Sequence, residues 1–174
     1  MLSEKTHARH LVELGFLEGA FKKMGLETTM IEKNEEMFVH SLVVTMQDYK
    51  EREMNVALNF VPLDEEFGYE QAMFLQLYTA LPFVWDTRLV DDLGKLILNL
   101  NNRVLLGLFG IKEGRELYYR YVFSSSQDDV INTGEFMDNF DLYLLMMNMF
   151  EEYVEKVSTG EYTLEQALEE IENM

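Results

Sequence analysis

The chain has 174 residues, 48% hydrophobic and 13% aromatic, with two prolines and a formal net charge of −18; this is the length of one domain, able to bury roughly 70% of its unfolded surface around one core. The charge argues against DNA, RNA and anionic lipid as direct ligands and favours a basic or amphipathic protein partner, although acidity alone also serves plain solubility. Cysteine is absent, which removes disulfides, thiol nucleophiles and thiolate metal sites; MLSEKTHARH lacks a signal-peptide core and no run of about 18 apolar residues occurs, so the expectation is a cytoplasmic protein that does not enter a membrane.

From His7 to Met24, Leu11, Leu14, Leu17, Phe21 and Met24 recur at steps of three and four, with Glu13, Glu18, Lys22 and Lys23 off that stripe. The spacing predicts an amphipathic helix ended by Gly25. Gly15 and Gly19 each weaken it by roughly 1 kcal/mol relative to alanine. Strand-type runs follow at Leu26 to Lys33, Met37 to Gln47, Glu53 to Pro62 and Gln71 to Phe83, the last three separated by DYKER and DEEFGYE. They read as an antiparallel meander. Val56, Leu58 and Phe60 alternate with Asn55, Ala57 and Asn59, the pattern of a sheet with one buried face. The run AMFLQLYTALPF is apolar on both faces and reads as a central strand.

Asp86 and Thr87 offer an N-cap to a second amphipathic helix carrying Leu89, Val90, Leu93, Leu96, Ile97 and Leu100. NRVLLGLFGI, the turn KEG and RELYYRYVFSSS predict a hairpin, with Lys112, Glu113 and Gly114 at its tip. A long helix follows from about Glu135 to Val157 with Phe136, Phe140, Tyr143, Met147, Phe150 and Val154 on one face, widened by Leu142, Leu145, Met146 and Met149. A capping box from Thr163 to Gln166 starts a short acidic helix over 163–173. The order is α-β-β-β(-β)-α-β-β-α-α: an α+β protein with an antiparallel sheet of five to six strands flanked by helices. No linker divides it, so 1–174 is expected to be a single domain with a core over about 5–157.

Catalytic patterns are missing. His7 and His10 stand at i and i+3, where two imidazoles can share a metal, with Glu13 or Glu18 nearby, but His40 falls in a predicted strand and no ligand spacing is complete. The terminal histidines therefore read as solvated, and neither metal nor cofactor is expected. Ser124, Ser125 and Ser126 have no nucleophile elbow around them. Gly107, Gly110 and Gly114 precede no helix that could receive a phosphate, and read as sites of close packing or bending. Acidic pairs such as Asp91 with Asp92 read as solvated charges in a helix's first turn. Twelve methionines are present; Met146, Met147 and Met149 cluster among aromatic residues, where thioethers fill a core or line an adaptable surface. Trp85 either caps the core or anchors a contact.

LGKLILNLNNRVLLGLFGIKEGRELYYRYVFSSS, with a helix ending in Asn99, Asn101 and Asn102, an immediate hairpin from Arg103 to Ser126 and the long helix after it, resembles the YbjN-type proteins. These are described as bacterial sensory-transduction regulators, with a fold similar to that of type III secretion chaperones. The resemblance spans about residues 5 to 157, and Thr163 to Met174 departs from it. It implies no active site. It does imply a regulator or chaperone-like adaptor, frequently a homodimer, working through protein contacts. Candidate partner-binding residues are Trp85, Leu105, Phe109, Tyr119 and Tyr121 around the hairpin and Met146 and Met149 on the long helix, used by strand addition or helix-in-groove docking. The alternatives are a ligand sensor or enzyme drawing on Asp91, His40 or Tyr119, and a structural subunit of a larger assembly.

Overall fold

A computed structural model describes residues 3–35, 37–62, 71–112 and 116–174. The polar stretch 64–70 and the Glu113 and Gly114 turn lie outside the described residues. Along the chain come α1 (Glu4–Lys23), β1 (Glu27–Ile31), β2 (Ser41–Gln47), β3 (Glu53–Phe60), β4 (Ala72–Ala80), a 3-10 turn (Thr87–Leu89), α2 (Val90–Asn101), β5 (Leu108–Lys112), β6 (Glu116–Ser126), α3 (Thr133–Thr159) and α4 (Leu164–Glu172). The strands form a six-stranded antiparallel sheet ordered β1-β2-β3-β4-β6-β5. Helices stand apart from an antiparallel sheet, as the α+β class requires. No helix among the described residues is long and apolar enough to cross a membrane.

The local chemistry explains the elements. In β3, Met54, Val56, Leu58 and Phe60 are buried at every second position, and in β4 Met73, Leu75, Leu77 and Thr79 repeat that pattern between strands on either side. Ser3 caps α1 by accepting the Thr6 N–H. Thr163 and Gln166 close the capping box reciprocally at 3.2 and 2.9 Å. Asp86 caps the 3-10 turn, not an α-helix, and α2 starts only at Val90.

Three expected strand stretches are not strand, and one of them is Leu81 to Phe83, which follows the end of β4 at Ala80. Met37 to His40 is irregular with a bend at Phe38 and Val39, and Met37 is tied back to Asn34, whose side chain accepts the Met37 N–H at 2.9 Å while the Asn34 N–H donates to the Met37 carbonyl at 2.8 Å. Arg103 to Gly107 leads into β5 as an irregular segment. Gly107 adopts φ +82°, where a Cβ would stand 2.8 Å from the Tyr119 ring, and a Cβ at Gly110 would overlap the Tyr118 ring. These glycines serve close packing, as their spacing suggested.

The contacts separate two compact units. The first comprises the chain to Met46, Asn55–Tyr78 and Tyr121–Phe140. Its core includes Leu14, Leu17 and Phe21 of α1, where Phe21 meets Phe140 at 4.8 Å and Phe136 at 6.2 Å, and Phe123 meets Phe136 at 5.5 Å. The second comprises Gln47–Met54, Thr79–Arg120 and Asp141–Met174. There α2 packs on β5 and α4, and Tyr143 donates to Thr79 Oγ1 at 2.8 Å beside the rings of Tyr119 and Phe109.

Candidate functional site

Helix α1 buries Leu14, Leu17 and Phe21, yet its outer face is not an ordinary charged surface. Val12, Gly15, Phe16, Gly19 and Lys23 are exposed there, a second stripe at steps of three and four. Gly15 and Gly19 leave open space where side chains would stand. With Ala20, Met24, Val130 and Thr133 they line a groove of about 620 Å³. Phe16 is 55% exposed and Met24 54% exposed, so the groove is mostly apolar over a floor of bare backbone, with Lys23 as the one charged residue in its lining. The opposite wall is fixed to α1 by two hydrogen bonds: Arg9 donates to the Asp129 carbonyl at 2.8 Å, and Glu13 accepts the Ile131 N–H at 3.1 Å. The sequence signal was the two glycines four residues apart beside Phe16, first read only as weakening the helix.

The residues expected to bind a partner divide by burial. Phe109 and Tyr119 are direct cross-strand partners in the β5–β6 hairpin and are both buried. Tyr119 also donates its hydroxyl to the Leu106 carbonyl. Met146 is buried and receives the Leu105 N–H on its sulfur at 3.4 Å. These three are buried in the core. Leu105, at 80% exposed, and Met149 remain open to solvent. Tyr121 is half-buried and donates to Asn139 at 3.2 Å, and Trp85 is half-buried.

A dense charged cluster lies in the second unit, where the turn between β2 and β3 meets α3. Arg52 donates two bonds, 2.8 and 2.7 Å, to the Glu155 carboxylate and a third, 2.6 Å, to Asp48. Lys50 stands 3.2 Å from Glu155, and Tyr49 donates its hydroxyl to the same carboxylate. Burial raises the Glu155 carboxyl, but the bonds from Arg52, Tyr49 and Lys50 outweigh it and hold the group at about 2. Glu151, one turn earlier, is fully buried and, among the described residues, accepts one hydrogen bond, from the Tyr49 N–H. Burial pushes its carboxyl up to about 7, with Asp48 and Glu155 adding repulsion. The cluster joins a turn to a helix.

The three histidines are buried, contrary to the expectation of solvated terminal imidazoles. His7 and His10 continue inward along the stripe that holds Leu14 and Leu17, and His40 precedes β2 instead of lying in it. Among the described residues no group of three histidine, aspartate or glutamate side chains is placed to hold a metal ion. Of the residues considered for acid-base work, His40 belongs to the first unit, while Tyr119 is buried and Asp91 exposed in the second. No protein-family model matches the chain, and no curated protein matches it either.

Proposed function

We propose that the protein is a non-enzymatic binding module, a regulator or chaperone-like adaptor, that receives an amphipathic, basic helix of another protein in the groove along α1. The observation that carries this reading is the exposed apolar groove itself: Phe16, Met24 and Val130 present apolar surface to solvent around Gly15 and Gly19. Glycines on a helix face let another backbone approach closely, and open apolar surface of this kind marks contact sites. A helix fits such a groove with anchors at steps of three and four. The partner's charge follows from the field of 32 acidic against 14 basic residues, which attracts a basic segment and repels a second copy of this chain. The resemblance to YbjN-type proteins and their secretion-chaperone-like fold supports the same class of function. Its implied homodimer makes a second copy the competing occupant.

Capture from native lysate, comparing the wild-type chain with Phe16→Asp at low and high salt, tests this. A basic protein retained by the wild type at low salt, and lost both at high salt and on Phe16→Asp, is the expected result. Identical captures by the two chains would overturn the groove as the binding site.

A further inference from the structure

The only three histidines of the chain converge in the first unit. His7 and His10 lie one turn apart at the start of α1, and His40 comes from the connection between β1 and β2. The rings of His7 and His40 meet edge to face at 5.8 Å. His10 stacks on Phe60 of β3 at 4.1 Å and 14°. The His10 and His40 rings are held in settings that suit the neutral imidazole. His40 Nδ1 accepts the Lys33 N–H at 3.1 Å, so that nitrogen cannot take a proton without breaking the bond. His7 Nδ1 is buried with no hydrogen-bond partner among the described residues. His10 lies flat on an aromatic ring, and burial, with His7, His40 and Arg9 behind it, brings its pKa down to about 4. His40 is lowered by burial first and then by His7.

The surrounding charges offer little relief to a second or third proton. Arg9 on α1 and Lys33 before β2 are cationic, and Phe60 on β3 carries no charge. Glu32 and Glu4 are the anions that favour a charged His40, but Glu4 is committed to Lys33 at 2.7 Å and is exposed. A proton on His10 or His40 is therefore poorly balanced in this packing.

We propose that His7, His10 and His40 form an acid-sensitive latch that holds the N-terminal half of α1 against the β1–β2 connection and β3 at neutral pH and releases it on mild acidification. The direction follows from proton uptake. About a pH unit above the ordinary histidine value of about 6.5, a histidine is mostly neutral whether α1 is docked or free, so the latch is closed. As the pH falls toward 4, free α1 binds protons that docked α1 refuses, and docking weakens about tenfold per pH unit for each such histidine. This latch is independent of what occupies the groove on the outer face of α1.

A global melting curve would blur the effect, because buried Glu151 in the other unit takes up a proton in the same range and stabilises the folded state as the pH falls. The test is therefore local: imidazole NMR titration together with hydrogen exchange at residues 4–13, corrected for intrinsic rates, from pH 7.5 to 5. Protection of α1 is expected to be highest at pH 7.5 and to fall through pH 6.5 with a slope that approaches tenfold per unit for each contributing histidine, with His10 and His40 titrating below the usual histidine range. His10→Phe keeps a ring on Phe60 and should remove about tenfold per unit from that slope. Ordinary titration of His10 and His40, or protection of α1 that is unchanged from pH 7 to 5, would overturn the proposal, and both are read on the wild-type chain even if the variant does not fold.

Discussion

The Tyr49 N–H donates to Glu151 Oε1 at 3.1 Å, while Glu151 Oε2 is buried with no hydrogen-bond partner among the described residues. A half-satisfied carboxyl of this kind favours its protonated form. Its raised pKa means that its contribution to stability is complete below the ordinary carboxylate value and is lost as the pH climbs through about 7. Glu151→Gln keeps the Oε1 acceptor and cannot ionise. The gap between variant and wild type should move in the variant's favour by up to about 3 kcal/mol between pH 4.5 and 8. Urea denaturation at pH 4.5, 6 and 8 measures it, and a gap independent of pH would refute the account.

Arg52 holds Glu155 and Asp48 together, with its guanidinium also 5.5 Å from the Phe83 ring. Arg52→Met removes the fork and leaves two buried carboxylates beside Glu151. A loss of about 2–3 kcal/mol is expected, less than for a fully buried pair because Arg52 is partly exposed. Arg52→Lys should recover only part of this, since an ammonium cannot make the paired bonds. The midpoint of chemical denaturation reports both.

Tyr143 donates to Thr79 Oγ1 at 2.8 Å and lies 3.0 Å from the Tyr119 carbonyl, all in a buried setting. Tyr143→Phe leaves both acceptors without that donor. About 1–2 kcal/mol should be lost, with little change in the dependence on denaturant concentration.

Two glycines should respond in opposite directions. Gly107→Ala forces a side chain into positive φ and against the Tyr119 ring and should cost about 2 kcal/mol or more. Gly19→Ala meets open space within a helix and should stabilise the free chain by about 1 kcal/mol, while narrowing the groove and weakening partner binding. Thermal unfolding alongside a binding titration separates the two effects.

Much of the fold was legible because its elements follow simple periods. The alternation of Val56, Leu58 and Phe60, the stripe from Phe136 to Val154 and the Thr163 capping box each name one element, and each is present. Met37 to His40 was misread because a single side chain, Asn34, ties Met37 back there; strand propensity carries no trace of such a bond. The two-sided hairpin hid which face turns inward, since spacing alone does not tell Phe109 and Tyr119 in the core from Leu105 in solvent. His7 and His10 were legible in principle: they stand seven and four residues before Leu14, on the buried stripe, but their polarity suggested solvent. The outer groove was harder to read, because Gly15 and Gly19 matter there through the side chains they lack.

A photo-crosslinking residue at position 16, activated in native lysate and followed by peptide mapping, tests the groove most directly. The account predicts crosslinks to a basic, amphipathic helical segment of another protein, reduced by Gly19→Leu, which fills the groove. Crosslinks to a second copy of this chain, or none above background, would contradict it.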